Sequence, residues 1–398
     1  MYTASGSPER GLARLLPGPA IRRVTLLWAG WVVLVLVFQA AAWMRLDVTG
    51  PDTSYGWTVE HSTDTPRAGI GLSHVRWDSY HYLRLAQFGY HRAEDAAYYP
   101  AYPVLMRAVT EAITRPLMPW ASALQQYAVA GLVISIVATL SATWAMHALA
   151  RDVLGGEDDA FRATVYLLIF PTAFFMLQVY TEALYLALAI PALLMSVRRR
   201  WWAAGALAAL ATITRATGFL LVGAIGVYWY TAWRDGRRPA WHTLGALALP
   251  GVALLAHRLF LRWSDLDQDA AWAGYGRSVL NLDGLREIAH QLGQMLTDPM
   301  GAVQIGLDIA LPALALWACW RVRRLAPGLA LYGAAVVILP LVTGTLVSLN
   351  RYALAATPAF LGLALAGRSP LFDRLWTLGS ALVLALYVMV FAHGYWVG

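Results

Sequence analysis

The chain has 398 residues, of which 59% are hydrophobic and only 13% charged, where a soluble domain would carry about 25% charged residues. Apolar runs of about 20 residues recur along it, which excludes a soluble globular fold and predicts an all-α, polytopic helical membrane protein. The net charge of +7 is carried by arginine without a single lysine, in short clusters between apolar runs; this distribution excludes nucleic acid as a partner. The one cysteine, Cys319, cannot form an intramolecular disulfide.

Residues 1–23 are polar and basic, and 24–44 are apolar and long enough to span. Ala40-Ala41-Ala42 only loosely resembles a signal-peptidase site, so the expectation is an uncleaved first span. Next comes Arg76-Trp77-Asp78-Ser79-Tyr80-His81-Tyr82, then Phe88-Gly89-Tyr90, then Tyr98-Tyr99-Pro100-Ala101-Tyr102-Pro103. A chain needs no such concentration of rings around an acid and a histidine merely to stay in a bilayer. If Asp78–Ala86 is helical, Asp78, His81 and Tyr82 share a face.

Further along, arginine clusters mark loops expected on the cytoplasmic side: Arg22-Arg23, Arg151 with Arg162, Arg198-Arg199-Arg200, Arg234 with Arg237-Arg238, Arg321 with Arg323-Arg324, and Arg368 with Arg374. Two crossings fit between each successive pair. The spacing predicts about eleven spans, at 24–44, 123–150, 163–177, 183–197, 201–214, 216–233, 241–261, 302–320, 327–348, 352–367 and 373–393. The N-terminus is then cytoplasmic. Within a single membrane domain covering 1–398, two long loops, 45–124 and 262–301, are extracytoplasmic, the first of them helical.

The spans between Arg162 and Arg198 are about 15 residues each, hence about 23 Å long, against a hydrocarbon core of about 30 Å. Their tip, Gln178-Val179-Tyr180-Thr181-Glu182, is therefore expected at or below the membrane surface. The same argument applies to Thr214-Arg215-Ala216-Thr217-Gly218 and to Ser348-Leu349-Asn350-Arg351-Tyr352. Irregular backbone at that depth has to be buried by protein or line a wet cavity. Intramembrane ionisable groups default to a functional reading, although Arg215 and Arg351 could equally snorkel or pair with Glu182.

Arginine is a two-pronged donor for phosphate oxygens. Two arginines near an outer surface suit a lipid-borne phosphate, and a carboxylate beside aromatic faces suits deprotonation of an attacking sugar hydroxyl. The candidate catalytic groups are Asp78 and His81. Candidate substrate-binding groups are Trp77, Tyr82, Tyr90, Tyr99, Tyr102, Gln178, Tyr180, Glu182, Arg215, Asn350 and Arg351. Tyr99 and Tyr102, flanked by prolines, read as a rigid wall; Tyr80 and Tyr98 read as an interfacial aromatic belt. No HExxH, CxxC or glycine-rich phosphate loop occurs, and His74, His81 and His91 lack metal-ligand spacing, so neither cofactor nor metal is expected.

The segment from Trp77 to Tyr90 resembles the W-D-x-x-H-Y-x-x-I-A-x-x-G-Y signature of the GPI mannosyltransferase 2 (PIG-V-like) family. Tyr98–Pro103 resembles its F-F-P-L-Y-P, with Tyr in place of both Phe and Ala in place of Leu. Tyr180-Thr181-Glu182-Ala183, after Pro171, resembles its Y-[ST]-E-[SA]; Thr214–Gly218 its T-R-x-x-G; and Arg351-Tyr352 with Pro358 its late R-Y…P. The resemblance implies a GT-C-type glycosyltransferase that takes mannose from a polyprenyl-phosphate donor outside the cytoplasm and inverts the anomeric carbon. Asp78 would be its base, and a lipid-linked or cell-envelope glycan its acceptor. A lysine-free, GC-rich sequence suggests a bacterial member in the plasma membrane. Two other classes fit less well. A polyprenyl-lipid flippase should show mid-span charges and internal hydropathy symmetry, and a noncatalytic scaffold has no use for an acid, arginines and rings on one face.

Overall fold

The computed structural model describes residues 18–45, 73–275, 293, 299–343, 348–393, 395 and 397. Most of the first half of the 45–124 loop, and residues 276–298 of the second loop apart from 293, lie outside that set. The described residues contain helices, turns and irregular segments and no strand.

In chain order the α-helices of seven residues or more among the described residues are α1 (Pro19–Arg45), α2 (Asp78–Phe88), α3 (Ala101–Val109), α4 (Ala123–Leu154), α5 (Glu157–Leu168), α6 (Glu182–Val197), α7 (Trp201–Thr212), α8 (Leu221–Ala232), α9 (Gly245–Trp263), α10 (Gln268–Gly274), α11 (Pro299–Val322), α12 (Pro327–Val342), α13 (Leu349–Ala355), α14 (Pro358–Ala366) and α15 (Pro370–Ala392). Among the described residues six helical stretches are long and apolar enough to cross a membrane: Pro19–Ala42, Ala123–Leu154, Ala216–Arg237, Trp241–Trp263, Ile305–Val322 and Pro370–Ala392. The α6, α7 and α12 helices are apolar but shorter.

Several expected spans are broken. The run 163–177 divides into the end of α5 and a 3-10 turn at Ala173–Leu177. The run 352–367 divides into α13 and α14, with Pro358 opening the second piece. Proline lacks the N–H that would continue α13, and it disfavours helical geometry in the residue before it. At 16 and 12 residues, α6 and α7 run about 24 and 18 Å, less than the apolar thickness of a bilayer. Both helices are thus as short as the spacing of the arginine clusters predicts.

Hydrogen bonds gather the tips and the first loop at one end of the bundle. Val179 N–H donates to the His74 carbonyl at 3.1 Å, and Ala101 N–H to the Ile213 carbonyl at 3.0 Å. The opposite end holds the arginine clusters in ion pairs: Arg198 with Asp152 (2.7 Å), Arg368 with Asp159 (2.6 Å) and Arg162 with Asp159 (2.7 Å). Between the two ends the helices pack closely over small residues. A Cβ on Gly362 would fall 2.0 Å from the Ala318 carbonyl oxygen, so α14 meets α11 backbone to backbone.

Candidate active site

Asp78 begins α2, where the helix N-terminus favours a carboxylate. The preceding residue, Trp77, has φ 51, a conformation that L residues other than glycine rarely hold. This turn aims the chain so that Asp78 faces the third tip. There Ser348 also takes a left-handed conformation, φ 66, immediately before α13 with Asn350 and Arg351.

The four charged candidates form one connected cluster. Arg351 places Nη2 at 2.5 Å and Nε at 3.0 Å from Glu182 Oε1, and Nη1 at 3.3 Å from Asp78 Oδ2. Arg215 Nη1 reaches the same Glu182 Oε1 at 2.5 Å and Thr181 Oγ1 at 3.2 Å. Two cations meet two anions, so the cluster is formally neutral, as charges taken out of water must be. Burial differs within it. The side chains of Glu182 and Arg351 are each 4% exposed, that of Arg215 14% and that of Asp78 30%. Glu182 is thus a buried anchor and Asp78 the carboxylate open to a reactant. Glu182 Oε2 is buried and makes no hydrogen bond, although both arginines crowd onto its other oxygen. Arg215 spends only Nη1 on hydrogen bonds. Its guanidinium also faces the Tyr352 ring at 5.6 Å, and that of Arg351 lies over Phe175 (4.7 Å) and Tyr180 (4.9 Å).

The sequence explains the Arg215 tip. A Cβ on Gly218 would come within 2.3 Å of the Ala211 carbonyl carbon and 2.4 Å of the Thr212 nitrogen. Only glycine lets the 3-10 turn Ala216–Leu220 fold back on the end of α7 and hold Arg215 toward Glu182.

The rings divide into two groups. Tyr82 lies edge-on to Tyr98 and Tyr102, both at 5.4 Å, and to Tyr180 at 6.5 Å. His81 stacks on Tyr98 at 4.5 Å. Burial lowers the His81 pKa below its ordinary value, with Asp78 pulling the other way, so the ring is neutral at neutral pH. Tyr180 donates to the Arg76 carbonyl at 3.0 Å. Tyr90 and Tyr99 instead turn toward α9, with His257 at 6.2 and 5.0 Å. Trp77 packs half-buried against the main core. Tyr102 is fully buried and donates to the Gly131 carbonyl at 3.1 Å.

The remaining candidates have partners within the scaffold. Gln178 exchanges amide hydrogen bonds with Gln39 of α1 at 3.0 and 3.1 Å, and its Nε2 also donates to the Phe174 carbonyl. Asn350 donates to Asp308 Oδ1 at 2.6 Å and to the Val397 carbonyl at 3.1 Å. Asp308 was missed in the sequence, although a lone acid in the apolar run 302–320 was the available signal. Tyr98, read as a belt residue, belongs to the aromatic cluster through its stacking on His81. The return from α2 to Tyr98 is pinned by Arg84 on the buried Asp95, whose Oδ2 also accepts from the backbone N–H of His91 (2.9 Å) and Arg92 (2.8 Å). Among the described residues no three His, Cys, Asp or Glu side chains gather to hold a metal.

Residues 67–232 match the family described as Mannosyltransferase (PIG-V). The GPI alpha-1,6-mannosyltransferase 2 of Cricetulus griseus is 34% identical over 153 residues, covering 38% of this chain and 30% of that one. The GPI mannosyltransferase 2 of Cryptococcus neoformans is 28% identical over 145 residues, covering 36% of this chain and 34% of that one. The chain thus spans about a third of the length of these relatives. Among solved structures, ArnT from Cupriavidus metallidurans bound to undecaprenyl phosphate aligns over 92% of this chain and 76% of its own, with TM-score 0.46 and 14% identity. The oligosaccharyltransferase of Archaeoglobus fulgidus aligns over 92% of this chain and 53% of its own, with TM-score 0.43 and 16% identity. Asp78, Glu182 and Arg215 all fall inside the segment 67–232 that matches the PIG-V mannosyltransferase family.

Proposed function

We propose that the chain is an inverting mannosyltransferase of the plasma membrane. It takes mannose from a polyprenyl-phosphate donor and passes it to a lipid-linked or cell-envelope glycan on the extracytoplasmic side. The observation that carries this reading is the asymmetry of the two carboxylates. Glu182 is sealed between two arginines, while Asp78 is held by one of them and stays accessible.

In the proposed reaction an acceptor hydroxyl attacks the anomeric carbon from the face opposite the phosphate, and Asp78 takes the hydroxyl proton. The bond from the anomeric carbon to the phosphate oxygen breaks, and its electron pair stays on the phosphate. The donor phosphodiester carries one negative charge and the departing polyprenyl phosphate gains a second. Arg215 has Nε and Nη2 to offer that developing charge. Arg351 orients Asp78, and Glu182 fixes both guanidiniums. Phe175, Tyr180 and Tyr82 wall the site, with His81 and Tyr98 as a stacked platform for the apolar face of a sugar ring. No metal enters this scheme.

Purified protein incubated with radiolabelled polyprenyl-phosphate mannose and candidate glycan acceptors should move label to an acceptor. Movement of the labelled lipid between leaflets of a vesicle, without sugar transfer, would replace this reading with that of a flippase.

A further inference from the structure

A second group of polar side chains lies beside the charged cluster, where the first loop meets the end of α9 and the start of α10. Tyr99, His257 and Gln268 are 5%, 4% and 5% exposed. The Tyr99 hydroxyl, both His257 ring nitrogens and both amide atoms of Gln268 are buried without a hydrogen-bond partner, as is Arg258 Nε. Gln268 lies close enough to bear on the Tyr99 hydroxyl, yet the two do not reach bonding geometry. Buried polar atoms are nearly always satisfied, and leaving one without a partner is costly. A set of them converging from three chain segments calls for an occupant.

The chemistry of the set selects among occupants. Gln268 offers donors on Nε2 and an acceptor on Oε1, neutral His257 offers one of each, and Tyr99 a donor. Burial pushes the Tyr99 pKa up, so the phenol keeps its proton. A carboxylate or phosphodiester only accepts and would leave the Gln268 oxygen and the acceptor nitrogen of His257 unpaired. The nearby cation is already met, since Arg258 Nη2 lies 3.2 Å from Asp269. Hydroxyl groups both donate and accept. Apolar ring faces border the same place: Tyr90 lies 5.5 Å from Phe260 and 6.2 Å from His257, and Tyr99 lies 5.0 Å from His257. Hydroxyl edges and C–H faces on one small neutral group describe a sugar ring.

The group is also contiguous with the reacting site. Tyr99 follows Tyr98, which stacks on His81 at 4.5 Å, and Tyr352, whose ring the Arg215 guanidinium faces at 5.6 Å, acts electrostatically on the Tyr99 hydroxyl. We infer that Tyr99, His257 and Gln268 form a neutral-sugar subsite that seats the acceptor glycan next to the Asp78 cluster. This inference rests on the transferase reading for its role but not for its chemistry.

The test uses the wild-type chain in lipid nanodiscs, with methyl α-mannoside as the probe and inorganic phosphate as its anionic counterpart. The sugar should protect peptides covering 89–100 and 264–275 from hydrogen exchange, and phosphate should not. Protection by phosphate instead, or by neither, would overturn the subsite, the second result marking a pocket that holds structural water only. In parallel, Gln268→Leu and His257→Phe each remove orphan groups while keeping bulk. Each should raise acceptor KM about 3- to 10-fold, the scale of one neutral hydrogen bond, with kcat and donor KM little changed. An unchanged acceptor KM in both variants would also overturn the subsite. Where a variant fails to fold, the wild-type exchange measurement decides. Sugar protection in a chain that transfers no mannose keeps the pocket and sinks the transferase reading; transfer without protection sinks the pocket alone.

Discussion

At the scale of single residues the site turns on how four charges share their partners. Asp78→Asn preserves shape and hydrogen bonding to Arg351 but cannot take a proton. Turnover should fall about 100-fold or more, the usual scale for a general base, with donor affinity little changed; an Asn variant of near-full turnover moves the base elsewhere, with Glu182 next to be tried. Arg215 has a double allegiance, to Glu182 in the resting structure and to the donor phosphate in the proposed reaction. Arg215→Lys keeps the charge and loses the fork, so apparent donor affinity should weaken, and Arg215→Ala should weaken it further. If Arg215 serves only to neutralise Glu182, then Glu182→Gln combined with Arg215→Ala should restore the lost activity at unchanged donor affinity. Donor titrations on the single and double variants read that difference directly.

At the scale of elements, the short helices and close turns set the depth and aim of the charges. Gly218→Ala would push a Cβ into the backbone of α7. Overpacking of this kind costs about 1–3 kcal/mol, and here the strain falls on the turn carrying Arg215. A lowered melting temperature together with weakened donor use is expected, and a fully active, fully stable variant would show that the turn relaxes freely. Much of this level was legible beforehand. The spacing of the arginine clusters predicts the short α6 and α7, and the motifs single out Asp78, Glu182, Arg215 and Arg351, which the structure brings into one cluster. What stayed hidden was orientation. Sequence spacing puts Tyr98 and Tyr99 side by side, yet one faces His81 and the other His257. Gln178 looked like a polar tip residue because nothing local reveals that Gln39, 139 positions earlier, takes its amide. The break of the 352–367 run was visible at Pro358, but total apolarity masked it.

At the scale of the whole molecule, the two ends of the bundle differ in kind. One is laced by arginine–carboxylate pairs around Asp159, and the other gathers the first loop and three tips. The arginine bias predicts that the Asp159 end faces the cytoplasm. With the native Cys319 first replaced by alanine, Ser62→Cys in intact cells should react with an impermeant thiol reagent and Gly236→Cys should not. The reverse pattern would invert the orientation and remove the argument for an extracytoplasmic lipid donor.

The charged cluster also has a history in time. Glu182 and Arg215 are 33 residues apart, but Arg351 follows Glu182 by 169 residues and Asp78 by 273. At ordinary elongation rates of about 5–20 residues per second, roughly 10–30 s separate the synthesis of Glu182 from that of Arg351. Through that interval Asp78 lacks the cation that orients it, and Glu182 has only one of its two arginines. The site is therefore incomplete until α13 has been made. A ribosome that stops short of α13 leaves Asp78 without Arg351 and Glu182 with Arg215 alone.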